Sequence, residues 1–183
     1  MLKFLTSLKQ KDLSALSGEQ ILKSAPITIN DQTIHLEAID RYQLFNIQTH
    51  SNSNQDSLVD IIRDSYIFSN PNKHHLFIDD TIHTLSKELL YIEVLRNHPH
   101  HLTSKADQLQ RIMPEIEIKS IHESDIWGFK LSETIDPSTY QTILEQWIYS
   151  TKDTQGLFCH PLIHSATPRS FENLIDYLND PSN

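Results

Sequence analysis

Glycine, cysteine and basic residues are all scarce in this sequence. Three glycines in 183 residues cannot supply a dinucleotide-binding fingerprint or a phosphate-cradling loop, and neither motif occurs. A single cysteine, Cys159, excludes a disulfide framework and every multi-cysteine zinc site, and suits a reducing compartment. No apolar run approaches the ~18 residues of a membrane span. The opening Met1-Leu-Lys-Phe-Leu-Thr-Ser-Leu-Lys9 is too short and too soon interrupted by charge to act as a signal peptide. Fifteen Lys and Arg against 24 Asp and Glu give a formal net charge of -9. Binding to a phosphate backbone relies on clustered basic side chains, so nucleic acid is excluded as a partner. What remains is a soluble, acidic protein, expected to be cytoplasmic, to touch no membrane and to carry no cofactor.

The hydrophobic pattern alternates between strand and helix periods. Residues 1–9 form a short strand around Leu2, Phe4 and Leu8, followed by a short helix on Leu13, Leu16, Ile21 and Leu22 that Gly18 interrupts. From Ile27 to Ile47 the period is that of strands, with a turn at Asn30-Asp31 and a second turn or bulge at Ile39-Asp-Arg41. Ser51-Asn-Ser-Asn54 is a loop, and Asp56 opens a helix on Leu58, Val59, Ile62 and Tyr66 that Asn70-Pro71 ends. His75–Ile78 is a short strand, Thr81–Lys87 a linker or single helical turn, and Leu89–Leu95 a buried strand. After the loop Asn97-His-Pro-His100, a helical stripe on Leu102, Ala106, Leu109 and Met113 stops at Pro114. Ile116 and Ile118 start a strand that ends near Ile121, and Trp127, Phe129 and Leu131 alternate in the next. Asp136-Pro-Ser138 opens a helix whose buried side is Tyr140, Ile143, Leu144 and Trp147. Leu157–Ile163 is a loop or strand around Pro161, and Phe171, Leu174, Ile175 and Leu178 make a last amphipathic helix.

The two halves match when laid side by side. Tyr66–His74 aligns without a gap on Gly156–His164, so that Phe68 answers Phe158, Pro71 answers Pro161 and His74 answers His164. Tyr42–Ile47 and Ile126–Leu131 share an aromatic-aliphatic alternation. The expected fold is therefore α+β: two tandem units, each an antiparallel sheet with two helices on one face, packed as a pseudo-dimer. The first unit spans residues 1–80, a linker 81–87, the second unit 88–168, and a C-terminal helix and tail 169–183. An exposed sheet edge or leftover apolar face would then mark a place for a partner.

Leu90–Ala106, the stretch Ile118–Leu131 taken as a hairpin, and the segments Tyr66–Pro71 and Leu157–Pro161 resemble the small subunit of phosphoribosylformylglycinamidine synthase. The same unit forms the N-terminal domain of the fused enzymes. The resemblance covers residues 88–167 best and 27–80 next. It departs from the family in lacking Asp-Pro-x-Gly after the first strand, where His100-His-Leu-Thr-Ser104 stands, and in holding two units in one chain. The resemblance implies a non-catalytic accessory subunit of a purine-biosynthetic, ATP-dependent and glutamine-hydrolysing ligase. Its partners would be the large synthetase subunit and the glutaminase subunit, between which it would help keep ammonia from escaping. The repeat-signature loops, with Asn70, Pro71, His74, His160, Pro161 and His164, would face those partners. The alternative from another class is a stand-alone acidic protein-binding protein of immunity or inhibitor type, without catalytic activity.

Other groupings carry less chemistry. His98, His100 and His101, with His74, His75, His160 and His164 and the neighbouring Asp79 and Asp80, offer imidazole and carboxylate ligands. Their spacing fits neither His-Glu-x-x-His nor any finger pattern, so no metal site is expected. Cys159 and His160 would point to opposite faces of a strand, which separates nucleophile from base. Glu115 and Glu117 share a strand face but have no neighbour to raise either pKa. Trp127, Phe129 and Tyr140 could stack a base, yet their alternation is that of a core. No catalytic residue is expected.

Overall fold

In a computed structural model, residues 1–50, 55–96, 101–149, 158 and 164–180 are described. Among the described residues, eight strands and five helices follow one another: β1 (Leu2–Leu8), α1 (Leu13–Lys23), β2 (Ile27–Ile29), β3 (Gln32–Ile34), β4 (Leu36–Thr49), α2 (Gln55–Asp64), β5 (His74–Phe77), β6 (Leu89–Arg96), α3 (Thr103–Ile112), β7 (Ile118–Leu131), α4 (Tyr140–Ile143), β8 (His164–Arg169) and α5 (Phe171–Asn179). A 3-10 turn, Asp79–Thr84, lies between β5 and β6, another, Pro137–Thr139, leads into α4, and α4 continues as a wider π turn over Leu144–Ile148. No helix among the described residues is long and apolar enough to cross a membrane.

Six strands make one antiparallel sheet in the order β5-β1-β4-β7-β6-β8, and β2-β3 is a separate hairpin. The hairpin turn is Asn30-Asp31, both with positive φ, 50° and 65°. Such primed turns suit the strand twist, and Asn and Asp tolerate that conformation best after glycine. The long central ladder pairs β4 with β7 from Leu36↔Leu131 to Thr49↔Ile118.

Side chains alternate across the strands, and both faces of the sheet are apolar near its middle. On one face, Ile39, Ile92, Trp127 and Phe129 pack with α1 and α4. Farther along the same face, Phe4, Phe45, Ile47 and Ile121 pack with α2 and α3. On the opposite face, Leu5, Leu44, Tyr91 and Ile126 are covered by the Asp79–Thr84 turn and by α5. Gly128 lies on this second face, where a Cβ would stand 2.8 Å from Leu89 Cδ1 and 3.4 Å from the Tyr42 ring. A side chain here would push the end of the Leu89 side chain aside, so glycine lets those groups close over the strand.

Several elements differ from the sequence expectation. Ile39-Asp-Arg41 is no turn: Ile39, Asp40 and Arg41 pair in register with Phe129, Gly128 and Trp127. Ile118–Leu131 is one strand of 14 residues and not a hairpin. The polar residues that look like breaks cross the first sheet face between its two helix pairs, where they satisfy one another. Arg41 donates to Asp125 Oδ1 at 3.0 and 2.9 Å, and Gln43 Nε2 donates to Glu123 Oε1 at 3.2 Å. Glu115 and Glu117 precede β7 and are exposed. Helix α2 ends at Asp64, well before Asn70. The chain turns there to bury Phe68 between Phe4 and Phe45, each 5.1 Å from it by ring centroid. Ser51–Asn54, Asn97–His100 and Cys159 lie outside the described residues, as does Leu157–Ile163 apart from Phe158.

Helix α5 is fastened by a buried charged network. Glu93 is only 6% exposed. It accepts from Arg169 at 2.9 Å, from Ser124 Oγ at 3.2 Å and from Tyr177 Oη at 3.4 Å. Lys3, 2% exposed, donates to the carbonyls of Tyr177 and Asp180 at 2.7 and 2.9 Å.

Candidate functional site

The repeat-signature residues that are described do not assemble into one place. His74 opens β5 opposite Leu8 at one edge of the sheet, and His164 opens β8 opposite Arg96 at the other. Five strand spacings separate the two edges, about 24 Å. Asn70 and His74 close a turn: the Asn70 N–H donates to His74 Nδ1 at 2.9 Å, and the Lys73 and His74 amides donate back to the Asn70 carbonyl. The Pro71 carbonyl accepts from Lys9 Nζ at 2.7 Å. His160 and Pro161 lie outside the described residues.

His164 lines a recess of about 280 Å³ with Arg41, Glu123, Asp125 and Phe158. Its charges are spent internally, because Arg41 binds Asp125 and also reaches Asp12 at 3.4 Å. His101 is likewise occupied, accepting from the Ile121 N–H at 3.0 Å. Asp79 and Asp80 flank Arg63 at 3.8 and 2.9 Å. Among the described residues, no three metal-ligating side chains converge.

A wider groove, of about 630 Å³, opens where β4 and β6 begin and β7 and β8 end. Its apolar lining includes Leu89, Leu131, Ile135, Tyr140 and Phe171. Its charged lining is Glu37, Glu88, Glu133 and Glu172 against Lys87 and Lys130, which leaves two negative charges in excess. Local chemistry places each group. Glu37 is the unpaired residue of a bulge, since Leu36 faces Leu131 and Ala38 faces Lys130, and a bulge re-aims its side chain. The Glu37 carboxylate therefore stands 3.6 Å from Lys130 Nζ, with Glu88 at 3.2 Å on the same ammonium. Glu88, and then Glu37, raise the Lys130 pKa. Ser170 caps α5, accepting from the Asn173 N–H at 3.2 Å. That sets Glu172 in the first turn, where the helix dipole favours a carboxylate.

Two features of the groove bear on ligands. Its own cations already sit as guest cations would, Lys130 between two carboxylates and Lys87 5.6 Å above the centre of the Phe171 ring. Glu133 and Glu172, by contrast, form no ion pair among the described residues. Beside them, burial raises the Tyr140 pKa, and the carboxylates of Asp136 and Glu172 add to the effect. None of this was visible as a motif. The four acidic residues come from four separate stretches of chain, and among the lining residues the sequence singles out only Tyr140 as a recognition candidate, for stacking. Searches against protein-family models, curated proteins and solved structures find no match to this chain.

Proposed function

We propose that this chain is a stand-alone, cytoplasmic, non-catalytic protein-binding protein of immunity or inhibitor type, whose acidic surface holds a basic partner. The observation that carries this function is the groove beside α5, whose lining mixes apolar and aromatic side chains with an excess of carboxylates. A net charge of -9 would speed encounter with a basic protein, and the apolar side chains interspersed in the lining would help hold it once docked.

A second function is favoured by a different observation. The strand order reads the same from either edge inward, with β5-β1-β4 on one side and β8-β6-β7 on the other. His74 opposite Leu8 and His164 opposite Arg96 stand at equivalent pairing positions. These support tandem units at 1–80 and 88–168, extending one sheet as a pseudo-dimer, and with them the accessory-subunit role in the purine-pathway synthetase complex.

Untagged capture from the native cell, followed by mass spectrometry and reconstitution with each captured protein, separates the two. A basic partner whose association slows about tenfold or more between low and high salt supports the first. Stoichiometric recovery of a large synthetase subunit with a glutaminase supports the second and sinks the first.

A further inference from the structure

We propose that the groove beside α5 receives a protruding loop of the basic partner, with one Lys or Arg side chain of that loop passing to Glu133 and Glu172. This deepens the protein-binding role proposed above and rests on it.

Complementarity of charge and shape selects the occupant. Glu133 and Glu172, which form no ion pair among the described residues, stand on the groove with Tyr140, Leu131 and Phe171. A cation entering there meets two anions and an aromatic surface, and its neighbours in the loop meet aliphatic side chains. The groove's own lysines show the geometry that suits an ammonium: one between carboxylates, one over an aromatic face. An anionic ligand would meet four carboxylates against two ammoniums, and a wholly apolar helix would strand those carboxylates without water. Strand addition is not the means of docking at the nearer edge. The outward N–H and C=O of Ala166 on β8 both engage the Tyr149 hydroxyl, at 3.1 and 3.4 Å. Pro168 on the same strand has no N–H to offer. The loop is therefore held by its side chains.

The test uses the full chain, ¹⁵N-labelled, and an acetylated, amidated probe peptide Gly-Leu-Arg-Leu-Arg-Gly, with the Glu-for-Arg peptide as control. The proposal expects saturable amide shifts confined to residues 87–90, 130–135 and 170–172. It expects E133Q/E172Q to weaken the probe about tenfold, and D79N/D80N, a change of equal charge elsewhere, to leave it within twofold. Loss of the probe by the same factor in both variants means that net charge alone is sensed, and overturns the proposal. So does shift dispersion over the whole acidic surface. If the probe ignores the groove while the intact chain still binds a basic protein, the groove assignment falls and the protein-binding function stands. If the probe binds the groove but no basic protein is captured, that function falls and the site remains a cation-binding groove.

Discussion

Removing the Glu93 carboxylate should loosen α5 and destabilise the whole sheet. Glu93 is 6% exposed, and it takes hydrogen bonds from Arg169, Ser124 and Tyr177. In Glu93→Ala, the Arg169 guanidinium loses its only ion pair among the described residues, while its side chain remains 20% exposed. Breaking a buried pair by deleting one member costs about 3–5 kcal/mol. The residual exposure of Arg169 places this case at the lower end, about 3 kcal/mol. For a chain of this size that is a fall in Tm of about 6–12 °C. Glu93→Gln retains an acceptor for Ser124 and Tyr177 and should cost about half as much. The double variant E93Q/R169M replaces a charge pair by neutral groups, so it should be more stable than the sum of its single variants predicts, by about 2 kcal/mol. Urea unfolding followed by Trp127 and Trp147 fluorescence supplies the four stabilities. Both tryptophans lie in the cluster under α1 and α4, so they report global unfolding and not local release of α5. Limited proteolysis within residues 170–180 reports that release separately. A coupling energy below about 0.5 kcal/mol would show that solvent already screens the pair, and the fastening of α5 would then have to be assigned to its apolar face alone.

Three further perturbations test other joints. Glu19 accepts from Lys11, Lys23 and the Ile39 N–H, and these bonds, overcoming its burial, hold its pKa at about 2. Its stabilising contribution is therefore present above the ordinary carboxylate value and lost as pH falls towards about 2. Glu19→Gln should cost about 1–2 kcal/mol at neutral pH and flatten that part of the acid-unfolding curve; an unchanged acid limb would refute it. Burial, and then Glu93, raise Tyr177 to about 12, and burial raises Tyr42 and Tyr91 as well. Folded pKa values above the unfolded value of 10 give stability that is complete below pH 10 and lost as pH climbs through about 12, so tyrosinate absorbance should appear together with unfolding. Titration of these three phenols in a still-folded chain would contradict their burial. Tyr149→Phe removes the hydroxyl that engages Ala166, costs about 1 kcal/mol and exposes a strand edge; sedimentation should show concentration-dependent self-association absent from the parent.

The parts of the fold legible in the sequence are those whose signal is local. The stripe of Leu102, Ala106, Leu109 and Met113 marks α3, Asp136-Pro-Ser138 marks the start of the helical turn before α4, and Asn30-Asp31 marks the β2-β3 turn. What failed depends on contacts across the ladder. Arg41 and Asp125 read as breaks because each is polar within an apolar strand, and their hydrogen bonds join positions 84 residues apart. The period through Tyr66 predicts that α2 continues, yet Tyr66 is 71% exposed and the chain has already turned to bury Phe68. The groove was illegible for a related reason. Glu37 enters it through a bulge that no pattern of alternation announces, and Glu172 enters it through the direction in which α5 leaves β8.

The way the strand edges are closed bears on how this molecule can recognise anything. Strand β1 pairs with β4 only as far as Thr6↔Gln43, and among the described residues no strand flanks the beginning of β4 on that side. Glu19 of α1 covers it, accepting from the Ile39 N–H at 3.2 Å. Strand β6 pairs with β7 only from Leu89↔Lys130 to Val94↔Asp125, and the beginning of β7 is covered in turn by side chains. His101 accepts from the Ile121 N–H at 3.0 Å and Gln110 from the Ile118 N–H at 3.1 Å. At the outer edge, Tyr149 and Pro168 blunt β8. Each device satisfies or removes a main-chain group that would otherwise invite another strand. At these places a partner of the proposed kind would meet side chains and their field, not open main chain. Under the proposed role, the excess of acidic residues would raise the rate of encounter with basic surfaces and reject acidic ones before any contact is made.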